Sequence, residues 1–434
     1  MSLSLKLSDP DRPSLFGPAL RGLWRHRAEL GWALDVLRYG ICADCGLGTH
    51  GLRDRLLGGS YYCSAQLEGL SRWTAGVLDP ELLHDVDALS EMDAGALRRL
   101  GRLGQPMIRR GGSRGFQTLS WDDAIKLAGS RLGDPNSETR LRYDPSELSN
   151  EALGCLSELL RACPRGSVDL PMSDQKYRTW TALESSLAAG AERAELSDLL
   201  VFGGDAQRVL IDAGPDELAT EALLRAYLRP RTGGRRLEKA RAQSAGQDKR
   251  IRVVGPSMGG SLLQAVEEGD WLLPVGWPRG SQAAADFGLF DQATNGTPGG
   301  DVPDHLAVFG GADAEPVSGL RLHLLLDLNP SALLKPGEAV LLLPMQSRFE
   351  LVGGGTCTAI DGRVHFSPEI RGHQSGLARP DWQVIAEITE RLDPERCAPA
   401  DGDAVRGWIA ERYPIYGPIA ELFAAGDSFL PERG

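Results

Sequence analysis

The segment "LRLHLLLDLNPSALLKPGEAVLLLPM", residues 320–345, constrains the fold more than any other stretch of this chain. It holds two short apolar runs separated by a turn that carries proline and glycine. Neither run alternates between apolar and polar residues. A strand that is apolar on both faces is buried on both faces, as in a parallel sheet held between two layers. The same grammar recurs upstream. "PSELSNEALGCLSELLRAC" has the spacing of an amphipathic helix, and "LSDLLVFGGDA" reads as a buried strand ending in a glycine turn. "PDELATEALLRAYL" predicts a second helix, and "KRIRVVGPSMGGSLLQAVEEGDWLLPVGW" reads as strand, glycine turn, helix and strand. "RPDWQVIAEITERL" is a late amphipathic helix. Apolar strands alternating with helices predict an α/β protein with Rossmann-like parallel-sheet layers.

The N-terminal part reads differently. "PALRGLWRHRAELGWALDVLRYG" predicts a helix with Leu23, Trp24, Leu30, Leu34 and Leu37 on one stripe, ending at Gly40. A short strand is expected over Phe116–Leu119, followed by Ser120 as N-cap. Asp123 sits three residues on, and the helix that follows has Ile125, Leu127 and Leu132 on its apolar face. The expected organisation is an N-terminal lobe over 1–110, an α/β domain over 111–228, a basic linker over 229–250 and a second α/β domain over 251–434.

The formal net charge of −12 argues against nucleic acid as a default partner, because phosphate binding needs a cationic surface. The basic stretch "RPRTGGRRLEKARAQSAGQDKR" runs against this trend and reads as a solvated linker, with a phosphate or partner site as the sharper alternative. "MSLSLKLSDPDRPSLFGPAL" has no apolar core of the signal-peptide kind, and no apolar run is long enough to span a bilayer, so a cytoplasmic location is expected. Seven cysteines, an odd number in a long chain, predict free thiols or a metal site and not a disulfide framework.

The cysteines that raise the metal question lie in "YGICADCGLGTHG" and "GGSYYCSAQ". Cys42 and Cys45 form a C-x-x-C pair, with Cys63 as a third ligand and His50 as a fourth. Such a set suits a [4Fe–4S] cluster or a zinc ion; small thiols packed in a glycine-rich turn are the plain alternative. Gly203–Gly204 and Gly259–Gly260 end predicted strands, where backbone N–H groups can approach a phosphate. Neither turn matches G-x-G-x-x-G, and ordinary turn chemistry accounts for both. No histidine arrangement matches a zinc-protease motif or a catalytic triad. His323, within an apolar strand, reads as a satisfied core residue, while His365 and His373 read as surface residues or the wall of a cleft. Asp122 and Asp123 fit helix capping, and the tryptophans of "GWALDVLRYG" and "GDWLLPVGW" fit packing. No catalytic residue emerges.

Several segments together resemble the molybdopterin-dependent oxidoreductases, in the formate-dehydrogenase-like branch. "GQPMIRRGGSRGFQTLSWDDAIKLAGSRL" resembles the passage that follows that family's iron–sulfur segment. "ELSNEA", with Asn150 and Glu151, resembles a "TNE" element, "RGSVDL" resembles "NNVD", and "LSDLLVFGGDA" resembles a strand ending in "GSNP". "EAVLLLPMQSRFELVGGGTCTAIDGRVHFSPEIRGHQSGLARPDWQVIAEI" is similar to a longer family string, in which the loop matching Gly354, Gly355 and Thr356 lies near the cofactor. "IYGPIAELFAAGDSF" resembles the stretch before the family's C-terminal domain. The resemblance covers most of the chain in pieces. It favours iron–sulfur over zinc for the cysteine loop, and it implies cofactor contacts at Asn150, Glu151 and the glycine turns.

The departures from the family carry as much weight. Around "LPMSDQKYRTWTALE", where the family supplies a cysteine, selenocysteine or serine to the metal, this chain has Met172, Ser173 and Asp174. The section between Asp205 and Arg250 is short by family standards, and the family's C-terminal barrel domain has no counterpart before Gly434. A large dinucleotide cofactor is gripped by several domains, so the expectation is that this chain alone does not retain a molybdenum or tungsten bis-pterin. The resulting expectation is a degenerate, non-catalytic subunit of a redox or carbon-metabolism complex. An oxidoreductase completed by a partner chain, and a nucleotide- or anion-binding module, are the alternatives.

Overall fold

The computed structural model describes residues 30–41, 49–50, 53–54, 69–70, 72–172, 174–189, 191–194, 209–212, 250–254, 270–274, 277, 279–294, 302–335, 337–360, 362–396 and 399–431. Helix α1 (Leu30–Tyr39) precedes a small hairpin of β1 (Thr49–His50) and β2 (Arg53–Asp54). Short helical turns and α2 (Ala94–Arg99) lead into the antiparallel pair β3 (Met107–Arg110) and β4 (Gln117–Thr118). Then follow α3 (Trp121–Leu132), β5 (Thr139–Tyr143), α4 (Asn150–Ala162), β6 (Gly166–Asp169) and α5 (Asp174–Ala188). Strands β7 (Glu192–Arg193), β8 (Val209–Asp212), β9 (Arg250–Val254) and β10 (Asp270–Pro274) form a parallel sheet in the order β7-β10-β9-β8. Next come α6 (Ser281–Asp286), β11 (Ala293–Thr294), β12 (His305–Phe309), β13 (Leu320–Leu325), α7 (Pro330–Leu333) and β14 (Ala339–Pro344). The described chain closes with β15 (Gly355–Thr358), β16 (Val364–Ser367), α8 (Asp381–Leu392), α9 (Gly402–Arg412) and β17 (Ser428–Phe429).

The large sheet has eight strands in the order β11-β6-β5-β12-β13-β14-β3-β4. The six from β11 to β14 are parallel, and β3 and β4 add an antiparallel edge. The protein is therefore α/β with a largely parallel sheet. This sheet draws strands from both sides of the 229–250 segment, with the four-stranded sheet inserted between them in sequence. Every residue of β12, β13 and β14 is buried, as their unbroken apolar runs require.

One face of the large sheet is covered by α3, α4 and α8, with α8 packed against both others. Ser120 caps α3: its Oγ accepts from Asp123 N (3.2 Å) and donates to the Asp123 carboxylate (2.6 Å). Ile125 and Leu132 are buried along that helix, and Leu127 is half-buried. The opposite face lies under Leu78, Leu83, Val86, Leu97 and α7. Among the described residues, short turns cover this second face where a doubly wound fold would place long helices.

Helix α1 departs from the expected stripe. Trp32, Ala33, Val36 and Leu37 are buried, whereas Leu30 and Leu34 face outward. The Trp32 indole donates to Ile370 O (2.7 Å) and its ring packs against His373 at 4.8 Å, so the largest side chain on the helix sets which face turns inward. The predicted strand "LSDLLVFGGDA" and helix "PDELATEALLRAYL" lie outside the described residues. No helix among the described residues is long and apolar enough to cross a membrane.

Candidate functional site

Ligands of open α/β sheets gather beyond the carboxyl ends of the strands, where the strand order reverses direction. In the large sheet that reversal falls between β5 and β12: β6 follows β5 on one side, while β12, β13 and β14 extend the other. The loops leaving β5, β12, β13 and β14 therefore define the place to look.

At the reversal the backbone closes on itself. Asp144 N donates to Phe309 O (2.9 Å), and Gly310 follows with φ of 80°. A Cβ on Gly310 would lie 2.9 Å from Asp144 O and 3.0 Å from Glu147 Cβ, so only glycine lets the two loops meet this closely. Beside this contact, Arg72 reaches across the crevice. Its Nη1 meets Glu147 from the β5 loop at 2.6 Å, and its Nε meets Asp327 from the β13 loop at 2.5 Å. Burial alone would depress the guanidinium, but the two carboxylates hold its pKa above the usual arginine range. Burial likewise pushes Glu147 up, and Arg72 more than offsets this, leaving the carboxyl below its ordinary value. The cavity that remains, bounded by Arg72, Trp73, Glu147, Met345 and Ser347, measures about 170 Å³.

The predicted residues of α4 and the 354–356 loop come together at the N-terminus of α4. Glu151 is 1% exposed. Its carboxylate accepts from Thr356 N (3.0 and 3.1 Å), Thr356 Oγ1 (3.1 Å) and Arg406 Nη1 (3.2 Å). Burial keeps this carboxyl above its ordinary pKa, opposed by Arg406 and the Thr356 N–H. Asn150 Oδ1 accepts from Thr358 Oγ1 (2.9 Å). Ser149 caps the helix, its Oγ accepting from Ala152 N (3.0 Å), and Asp381 at the start of α8 accepts from Ser149 N (2.7 Å) and Ser149 Oγ (2.9 Å). Arg406 also lies over the Phe366 ring, 5.1 Å from its centroid.

The glycines open this loop for a structural reason. Gly354 has φ of 77°, and a Cβ there would lie 2.5 Å from Phe366 Cζ and 2.6 Å from Ser367 O. Gly354→Ala is expected to cost about 1–2 kcal/mol for the left-handed backbone alone, with the displacement of Phe366 added. Thermal unfolding measures this directly, and an unchanged midpoint would remove the requirement for glycine.

The structure thus joins Asn150, Glu151, Gly354, Gly355 and Thr356. Cys42, Cys45, Cys63, Gly203, Gly204, Gly259, Gly260 and Ser173 lie outside the described residues, as does the 229–249 part of the linker. Of the proposed fourth ligand, His50, the structure gives the backbone position in β1. Among the described residues no cluster of three or more His, Cys, Asp or Glu side chains is placed to hold a metal, and Cys155, Cys163 and Cys357 are buried thiols outside any disulfide. His365 is buried on β16 and His373 is largely covered, its Nε2 lying 3.9 Å from Glu350, so neither is a surface residue. Sequence reasoning missed Arg72, Asp381 and Arg406. Only Asp381, following a proline at the start of a helix, carried a local signal.

The described strand-end cavity of about 170 Å³ lies below the range of about 300–1,000 Å³ in which small-molecule ligands are commonly held. The donor that a phosphate would take at the 354–356 loop, the Thr356 N–H, is already given to Glu151.

Fold and site together define a mixed α/β protein whose strand-end crevice is filled by its own charged side chains. No family model matches the chain, and no curated protein matches it in sequence. Among solved structures, it is similar to a chain of the formyltransferase/hydrolase complex (FhcABCD) from Methylorubrum extorquens, whose X-ray crystal structure is in complex with methylofuran. The TM-score is 0.41 and the sequence identity 14%, over 66% of this chain and 99% of that chain.

Proposed function

We propose that this chain is a non-catalytic subunit of a multi-chain assembly, descended from a formate-dehydrogenase-like molybdopterin oxidoreductase. The observation that carries the reading is the internal occupation of the site. Glu151 takes the loop N–H, and Arg72 bridges Glu147 and Asp327 across the strand ends. A protein that bound an anionic cofactor there would gain from leaving those donors open. The sequence resemblance over Val340–Ile388 supports the ancestry.

A partner chain has surface to bind. Helix α1 turns Leu34 and Tyr39 outward, and an apolar groove of about 370 Å³ runs between Val77, Leu78, Leu83 and Leu377. Val77 and Leu377 are exposed, and apolar surface of this kind is commonly covered by another protein. In this reading Cys42, Cys45, Cys63 and His50 carry an iron–sulfur cluster or zinc that serves the assembly.

The test is elemental analysis of the assembly purified anaerobically from its source, together with dye reduction by formate. Molybdenum and tungsten are expected far below one atom per chain, with no formate-dependent reduction. Stoichiometric molybdenum or tungsten held by this chain would overturn the proposal in favour of an active oxidoreductase.

A further inference from the structure

The second face of the large sheet carries a row of side chains that the functional reading leaves unused. Register places Arg140 (β5), Leu306 (β12), Arg321 (β13), Val340 (β14) and Arg109 (β3) side by side across five neighbouring strands. Register partners share a face, so all three arginines point to the same side. Arg140 has carboxylates at hand, Asp169 at 3.7 Å and Glu315 at 3.6 Å. Arg142, two residues on and on the same face, meets Asp169 at 2.7 Å and Glu315 at 3.3 Å.

Arg109 and Arg321 are more deeply buried, at 3% and 0% exposure. Among the described residues neither forms a salt bridge, and Asp87 is the carboxylate near enough to act on Arg109, partly offsetting the effect of burial on its guanidinium. Their guanidiniums meet instead on backbone oxygens at the end of α7. Arg109 Nη2 donates to Leu333 O (2.9 Å) and also to Leu334 O, and Arg321 Nη2 donates to the same Leu334 O. Two donors on one oxygen lie within about 6 Å of each other. Arg109 Nε, Arg321 Nε and Arg321 Nη1 are buried with no hydrogen-bond partner. Both ring nitrogens of His323, two residues along β13, are in the same condition, which corrects the expectation of a satisfied core histidine. Burial drives His323 to about 3, so it adds no charge at neutral pH. Arg321, lowered to about 10 by burial and by Arg109, keeps its charge. Besides the two carbonyls, Arg109 faces the Phe116 ring at 5.1 Å.

Asp87 opposes the charge of Arg109 alone, so two buried cations that share one carbonyl oxygen and leave three donors unused call for a further counter-charge beside Arg321. We infer that Arg109 and Arg321 together hold a small inorganic anion of the chloride class within the fold. A monoatomic halide is the occupant that suits side chains so little exposed, since it accepts several N–H bonds without requiring a channel for a larger ligand. The site would act as a structural anion site, independent of the function proposed for the strand-end crevice.

The full chain tests this by urea unfolding at fixed ionic strength, with sodium chloride replaced stepwise by sodium gluconate. An anion bound by the folded state alone lowers the unfolding equilibrium constant about tenfold for each tenfold rise in chloride above its Kd. Arg321→Met should remove that dependence. Because that variant may fail to fold, crystals of the unchanged protein grown in bromide supply an independent readout, an anomalous peak beside the unpaired nitrogens of Arg321 and Arg109. Stability that ignores chloride in the unchanged protein, or no peak at that position, overturns the inference.

Discussion

Glu151→Met is expected to lower the stability of the folded chain by about 3–5 kcal/mol, the range found when one partner of a buried ion pair is removed. The volume is nearly conserved, so a cavity contributes little. The cost comes from what the carboxylate leaves behind: Arg406, itself 1% exposed, and the Thr356 N–H. Arg406 keeps a contact to Asp403, but that carboxylate is largely in water and screens poorly. Arg406→Met should be similarly harmful. The double variant should be less destabilised than the sum of the two, because the apolar pair abolishes the stranded charge. Urea titrations of the four proteins measure it. Strictly additive losses would show that the two side chains do not depend on each other.

The second large effect is on pH. Asp286, the last residue of α6, accepts from Tyr416 OH (2.9 Å) and Gln282 Nε2 (3.2 Å). Burial raises its pKa from 3.8 to about 7, against the opposing pull of Tyr416 and Arg193. The folded state therefore holds this proton more tightly than the unfolded chain does. Its contribution to stability is complete below about pH 4 and is lost as pH climbs towards 7. Three units correspond to at most about 4 kcal/mol. Water reaches this half-buried carboxyl, so about half of that is expected. Asp286→Asn should flatten this part of the profile and be the more stable protein at pH 8. Parallel stability profiles for the two proteins between pH 5 and 8 would rule out Asp286 as the source.

What the sequence made legible were features written over a few residues. The apolar runs of β13 and β14, the Ser120 cap and the helices α4 and α8 all follow from local pattern, and all are present. The meeting of Asn150 and Glu151 with the 354–356 loop followed from a resemblance, not from spacing. What stayed hidden depends on distant partners. Arg406 approaches Glu151 across 255 positions, and nothing around "AVRGWIAER" marks it. Helix α1 offers two apolar stripes at helical spacing, and only the position of Ile370 and His373 decides between them. His323 sits in a run that any pattern reads as core. Its lack of partners becomes visible only when β12 and β14 close on either side.

The interruption of the large sheet bears on how the chain is made. Tyr143 on β5 pairs with Phe309 on β12, so the ribosome must add some 166 residues before that edge meets its neighbour. At about 5–20 residues per second the nascent first half waits roughly 8–33 s with one edge of β5 unpaired, its other edge being taken by β6. An open strand edge is a template for aggregation, and a pause in translation after residue 170 would lengthen the time it stays open.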